Sequence, residues 1–388
     1  MQGMKKVAEV AGGGIGGLTV AALLARDGWR VRVHERGAQI REIGAGIYIK
    51  NNSIEVLERL GIFEKMKPLG IELAKAEIRF ADGSLRQERK LVALSRVHVF
   101  PRQAVIEALR DVAVASGVEI ATGSTVTSAD ASGVLRTADG VAHHADLLVG
   151  ADGVSSAVRA SLPLRSGFRL LPTIIDRFLI EGREFTPEDI TVEHWSGNRR
   201  IGVTPAGPNQ TYVYMVAPER DALARQLPLN VADWSARFPK LAGLMEALGR
   251  VDSTQFNYGV VDCEKWSVGR IAILGDAAHG LPPTLGQGAG LTLINAYALS
   301  HFLRQEADVT AALRKWEESV RFISDQTQTW ACRYDWFTRQ WPTRLDAMRP
   351  LITWSFGRIK YLNSRMRIAD QGLRLAGIDV TGGMTHAD

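Results

Sequence analysis

A chain of 388 residues, 46% apolar and 23% charged, has an ordinary globular composition and enough length for about two or three domains. No apolar run reaches the roughly 18 residues a membrane span needs, so no membrane partner is expected. A net charge of +5, without a basic stripe interleaved with aromatics, argues against a nucleic-acid partner.

Cys263 and Cys332 stand in no CxxC or zinc-like spacing. No metal site is therefore expected, and a reducing cytoplasm is the natural compartment. The N-terminus has no signal-peptide layout and enters a βαβ unit, KKVAEVAGGGIGGLTVAALLARDGWRVRVHERG. Here VAEVA is a short buried strand, GLTVAALLARDG has helical apolar spacing that ends near Gly28, and RVRVHE alternates as a strand does. NNSIEVLERLGIFEKM predicts a helix, AEIRFADGSLRQER a hairpin turning at Asp82-Gly83, and RQAVIEALRDVAVASG another helix. VLRTADGVAHHADLLVGADG reads as a hairpin followed by a buried strand. From about 166 to 262 the text is strand-rich, and from about 290 it is helical.

This order predicts an α/β (α+β) architecture. An α/β domain of residues 1–75, 99–165 and 263–330 is interrupted by a mainly β-sheet domain of residues 76–98 and 166–262. A C-terminal helical segment follows at 331–388.

The first chemical motif is Gly12-Gly13-Gly14-Ile15-Gly16-Gly17, a GxGxxG between strand and helix. Gly12 permits the tight turn, Gly14 lets backbone approach a pyrophosphate, and Gly17 lets the helix pack close to the strand, with Ile15 opening that helix. The helix N–H groups then face phosphates. Glu35, beside Arg36, lies 23 positions after Gly12 at the end of the next strand, where an acid would accept from ribose hydroxyls. The motif predicts a dinucleotide without choosing between NAD and FAD.

Two later segments choose. GADGVSSAVR carries Asp152, Ser155, Ser156 and Arg159, and GDAAHGLPPTLGQGAG carries Asp276, His279, Pro283, Gly286, Gly288, Ala289 and Gly290. With these in order, the chain resembles the group A flavin-dependent aromatic monooxygenases, the fold typified by para-hydroxybenzoate hydroxylase. That family has GxGxxG, then DGxxSxxR, then GD followed by PxxGQG, and the motifs span most of the chain. Within it, the pattern is most similar to 2-methyl-3-hydroxypyridine-5-carboxylate oxygenase, through AEVAGGG, GAGIYI and INAYALS.

The resemblance implies a Rossmann-like FAD-binding domain interrupted by a substrate-binding sheet domain. It implies bound FAD, transient NADH or NADPH, and O2 as co-substrate. The family reaction inserts one oxygen atom into an activated ring through a C4a-hydroperoxyflavin. Asp276 is expected at the ribityl chain, Pro283 beside the isoalloxazine, and the helix start near Ala289 and Gly290 at its pyrimidine edge. Asp152 and Arg159 either pair to hold the fold or serve the cofactor. Arg102, and less strongly Arg41, are expected near cofactor phosphates.

The substrate is expected to be a small hydroxylated aromatic or N-heteroaromatic carboxylate. Tyr212 and Tyr214 are two apart, so they share one face of a strand, with Arg200 on the strand before. A guanidinium suits a carboxylate and a phenol suits a ring hydroxyl. Arg200 and Tyr212 also fall where the similar oxygenase binds its substrate, and Tyr48 is a further pocket candidate. Lys50 and Asn51 replace bulkier aromatics of that pattern. A monomer or homodimer is expected. The alternative is another flavin enzyme of the same fold: an epoxidase, a salicylate-type oxidative decarboxylase or a halogenase, although the halogenase segment WxWxIP is missing. The intact PxxGQG argues against a nonenzymatic flavoprotein.

Overall fold

The computed structural model describes residues 5–41, 46–91, 96–342 and 367–378, with a few isolated positions between the last two stretches. One layer is a six-stranded sheet in the order Ser267–Val268, Ile271–Ile273, Leu147–Gly150, Val7–Ala11, Arg30–Glu35, Glu119–Thr122. Its central pairings are parallel, with Val10 opposite Val149 on one side and Val33 on the other. Parallel strands need a crossover, and helix Ile15–Arg26 supplies it between Val7–Ala11 and Arg30–Glu35. The helix stops where Gly28 turns left-handed at φ +88°. Gly28 and Trp29 then return their N–H groups to the carbonyls of Ala25 and Leu24.

Helix Gly288–Gln305 is apolar nearly all round and lies inside the same core, between the first helix and the long helix Val309–Gln340. Trp316 of the long helix donates to the carbonyl of Asn295 at 2.9 Å. The long helix runs through residue 331 without a break, so the boundary expected there falls inside a helix. Most of residues 343–363 lie outside the described residues.

The second layer is a seven-stranded sheet: Thr254–Cys263, Ser166–Glu181, Gln210–Pro218, Arg199–Pro205, Ile190–Ser196, Lys75–Phe80 and Leu85–Lys90. The hairpin turning at Asp82-Gly83 joins it by a parallel pairing of Lys75–Phe80 with Ile190–Ser196. Alternation sorts the strands into two faces. The outer face puts Phe178, Ile201, Val203, Val213 and Met215 against helices Val231–Arg237 and Ala242–Leu248, whose Trp234, Phe238 and Leu244 complete an apolar core. The inner face, carrying Arg200, Gly202, Thr204, Tyr212 and Tyr214, is polar and aromatic. Among the described residues, no helix is long and apolar enough to cross a membrane.

Arg199 and Arg200 are adjacent, so they leave their strand on opposite faces, and both are buried. Arg199, on the outer face, lies 4.7 Å from the Trp234 ring. It donates from Nε and Nη2 to both oxygens of Asp221 at 2.7 Å, and from Nη1 to Asp233. Removing the cation leaves partly buried carboxylates without a partner. Arg199→Met is therefore expected to lower the free energy of unfolding by about 3–5 kcal/mol. Urea denaturation followed by tryptophan fluorescence checks this, and an unchanged midpoint would refute it.

Candidate active site

The first glycine loop is shaped by close approaches. A Cβ on Gly17 would fall 1.9 Å from the carbonyl oxygen of Gly12, and one on Gly12 would fall 2.4 Å from that of Ala151. Gly12 itself sits at φ +100°. Gly14, extended, precedes the helix without any side-chain cap, and a Cβ there would meet nothing within 4 Å. The first-turn N–H groups, beginning with buried Ile15, therefore open onto space that a pyrophosphate fits. Glu35 braces the loop, accepting from the N–H groups of Gly13 at 2.9 Å and Gly37 at 2.7 Å. Arg36 and Arg41 are exposed. These residues fit the diphosphate and ribose of FAD.

The second loop offers the other end. Gly275 (φ +64°) leads into the short helix Asp276–His279, and Asp276 is exposed at its start. Pro283, also exposed, opens the single turn Pro283–Leu285, which Gly286 closes in the left-handed region at φ +59°. The helix Gly288–Gln305 again begins without a side-chain cap. Its Gly288 is open, whereas a Cβ on Gly290 would fall 2.7 Å from Ser53 Oγ. Gly288 and Ala289 are thus the approachable part of this helix start, and Gly290 serves packing.

This loop is held from three sides. Lys50 Nζ donates to the carbonyl of Leu285 at 2.6 Å. Thr284 Oγ1 donates to that of Ala331 at 2.9 Å. Buried Gln287 donates to Asp370 Oδ1 at 2.8 Å, next to Asn52, which donates to the carbonyl of Ala369. Burial pulls the Lys50 ammonium down to about 8, with Arg89 and Arg367 adding to the shift and Asp370 opposing it.

Asp152 and Arg159 do not pair. Asp152 accepts from Ser156 Oγ and from the N–H groups of Ala157 and Val158, closing its own turn. Arg159 donates to the carbonyls of Val154 and Ala277. It thereby staples the DG segment to the GD segment. His279 is buried and accepts from Asn295 Nδ2 at Nε2, 2.9 Å away. Burial lowers its pKa to about 4, so it is a neutral packing residue at ordinary pH.

The inner sheet face lies across from these loops. Tyr48 donates or accepts at Thr191 Oγ1, 3.0 Å away, and its Cβ lies 3.8 Å from the Cβ position of Gly286. Tyr212 and Tyr214 share the face with ring centroids 6.0 Å apart. The Tyr214 ring lies over Gly202, where a Cβ would fall 2.0 Å from it. Burial raises the pKa of each of these phenols. Arg102 opens helix Arg102–Ala115, and its charge reaches Tyr212.

Arg200 is brought to this face but not as a free cation. Its Nη1 donates to Glu193 Oε1 at 2.9 Å, and it lies 5.8 Å from the Tyr334 ring. Sequence reasoning passed over Glu193, Arg177 and Tyr258, and noted Lys50 only as a replacement for a bulkier aromatic. Alternation along each strand marks a face, but the pairing of Glu193 with Gly202, one register step from Arg200, depends on strand order. Glu9, His34 and His143 also cluster, with ligand atoms within 4.8 Å of one another. The Arg32 guanidinium lies 3.1 Å from His143 Nδ1, a poor neighbour for a cation.

Residues 4–315 match the family described as FAD binding domain. A 2-heptyl-3-hydroxy-4(1H)-quinolone synthase of Mycobacteroides abscessus is 37% identical over 333 residues, covering 84% of this chain and 89% of that protein. Tetrameric 2-methyl-3-hydroxypyridine-5-carboxylic acid oxygenase superposes with TM-score 0.85 at 29% identity, over 96% of this chain and 98% of the other. The Klebsiella pneumoniae protein HpxO, complexed with FAD and uric acid, superposes with TM-score 0.81 at 26% identity, over 96% and 98%.

With a buried amine against the Leu285 carbonyl, the loop is expected to sense the charge on Lys50. In the flavin-loaded protein the visible absorbance should titrate with a midpoint at about 8. In Lys50→Met that transition should vanish. A transition unchanged in the variant would assign it to another group.

Proposed function

Because the chain belongs to the FAD-dependent aromatic monooxygenases, we propose that it uses NADH or NADPH and O2 to hydroxylate a planar N-heteroaromatic ring bearing a hydroxyl or oxo group. The observation that carries this reading is the aromatic inner face of Tyr212 and Tyr214, with Tyr48 on strand Gly46–Lys50 lying between it and Gly286 of the Pro283–Gly290 loop. The relatives named above support the ring class, since quinolone, hydroxypyridine and uric acid are all nitrogen heterocycles. FAD, held there, would supply the redox chemistry that links NAD(P)H and O2 to the ring, one oxygen atom going to the ring and the other to water.

The protein's part is placement, exclusion of water and control of charge. Gly12, Gly14, Ile15 and Gly17 hold the diphosphate, with Glu35 at the ribose. Arg102 serves the phosphates, and Asp276 the ribityl chain. Pro283, Gly286, Gly288 and Ala289 form the wall beside the isoalloxazine. Phenols whose pKa is raised stay protonated through the neutral range, so Tyr48, Tyr212 and Tyr214 act as hydrogen-bonding groups and not as bases. Tyr212, packed against Gly46 near the cofactor loops, orients the ring oxygen. Arg200, neutralised by Glu193, is a positioning residue behind Tyr214.

The test is NADH and NADPH oxidation by the flavin-loaded protein with 4-quinolones, hydroxypyridine carboxylates and hydroxybenzoates, with product and hydrogen peroxide counted together. An N-heteroaromatic compound should accelerate oxidation about tenfold or more, equivalent to about 1.4 kcal/mol of barrier, with product matching reductant consumed. Stimulation by benzenoid acids alone, or peroxide without product, would overturn the ring class. Tyr212→Phe should lower kcat/KM about fivefold, the loss of one neutral hydrogen bond.

A further inference from the structure

The inner face of the sheet carries a second arginine whose charge is not balanced. Arg177 lies on Ser166–Glu181, opposite Tyr214 on one side and Thr254 on the other. It therefore shares a face with Tyr212, Tyr214 and Phe256. Its guanidinium carbon is 4.3 Å from the centroid of the Phe256 ring. Burial raises the pKa of both Tyr212 and Tyr258, and the Arg177 charge works against that shift in each. The guanidinium thus sits among Phe256, Tyr212 and Tyr258.

The nearby acids are already engaged. Glu193 pairs with Arg200. Asp335 accepts from Thr173 Oγ1 and pairs with Arg339. Asp176 accepts from Gln255 and, being the neighbour of Arg177 in a strand, leaves on the other face. Arg177 Nε is buried without a hydrogen-bond partner, and no carboxylate pairs with this cation among the described residues. A half-buried cation against aromatic rings, with a buried donor unused, is set up to receive an anion. A guanidinium fork takes a planar carboxylate in two parallel hydrogen bonds. The surrounding rings would stack on the ring that carries it.

We propose that Arg177 is the anchor for a carboxylate carried by the substrate ring, in the place that the sequence had suggested for Arg200. This rests on the reading of the inner face as the substrate's. It restricts the substrate to acids of the N-heteroaromatic class and makes neutral members poor ligands.

The test needs no turnover. Oxidised, flavin-loaded protein is titrated with 4-hydroxyquinoline-2-carboxylate and with the corresponding 2-carboxamide, and the flavin absorbance change gives each Kd. The wild type should bind the acid about tenfold or more tightly than the amide. Arg177→Met should bring the two within about twofold by weakening the acid alone. Arg177→Lys, which keeps the charge but not the fork, should fall between and guards against a misfolded Met variant. Equal binding of acid and amide by the wild type would overturn the assignment, as would a preference that survives in Arg177→Met. An acid preference that depends on Arg177, in a protein that hydroxylates nothing with NADH or NADPH, would leave the anchor standing and sink the hydroxylase reading.

Discussion

The fold depends on the close packing of two helices whose first turns carry no side-chain caps. Helix Ile15–Arg26 and helix Gly288–Gln305 touch where Gly16 lies beside Thr292 and Leu274. A Cβ on Gly16 would fall 2.8 Å from Thr292 Cγ2 and 2.6 Å from Leu274 Cδ1. Unmet N–H groups at a helix start favour an anion or an acceptor. Locking two such starts side by side in one core brings glycine segments far apart in the chain to one place, as the proposed binding of one elongated cofactor requires. The DG segment reinforces the arrangement, since Arg159 ties it to Ala277.

Charge on the seven-stranded sheet is handled strand by strand. Arg199 faces out and is neutralised by Asp221 and Asp233. Its neighbour Arg200 faces in and is neutralised by Glu193. Buried pairs of this kind contribute little net stability but cost much when one partner is lost, so both arginines act chiefly as fixed parts of the frame. Gly202, two residues beyond Arg200 and directly opposite Tyr214, provides the space that this ring occupies.

What could be read from the chain was whatever local spacing determines. The βαβ unit, the hairpin at Asp82-Gly83 and the three family motifs each lie within a short window and form as their spacing suggests, whereas the helix expected over NNSIEVLERLGIFEKM breaks into Asn51–Arg59 and Phe63–Met66, and helices Val231–Arg237 and Ala242–Leu248 stand in the strand-rich stretch. Alternation also placed Tyr212 and Tyr214 on one face. Charge partners were the illegible part. Arg200 looks like a clamp until Glu193 arrives from the adjoining strand. Lys50 reads in the sequence only as a replacement for a bulkier pocket aromatic, and its partner, the Leu285 carbonyl, lies 235 positions away. Asp152 and Arg159, which the motif sets together, each turn to backbone groups instead. Arg177 carried no motif at all, and only the assembled sheet shows that, among the described residues, no carboxylate pairs with it.

The hold of residues 369 and 370 on the second glycine loop has a temporal side. Asn52 and Ala369, hydrogen-bonded to each other, are separated by 317 positions, and Gln287 waits 83 positions for Asp370. On a ribosome, the first glycine loop emerges and can fold while the residues that brace its counterpart are still unsynthesised. The first glycine loop is thus available early, and the second is fully braced last. A chain stalled before residue 369 would keep the braces from Lys50 and Thr284 and lack only those that Ala369 and Asp370 give to Asn52 and Gln287.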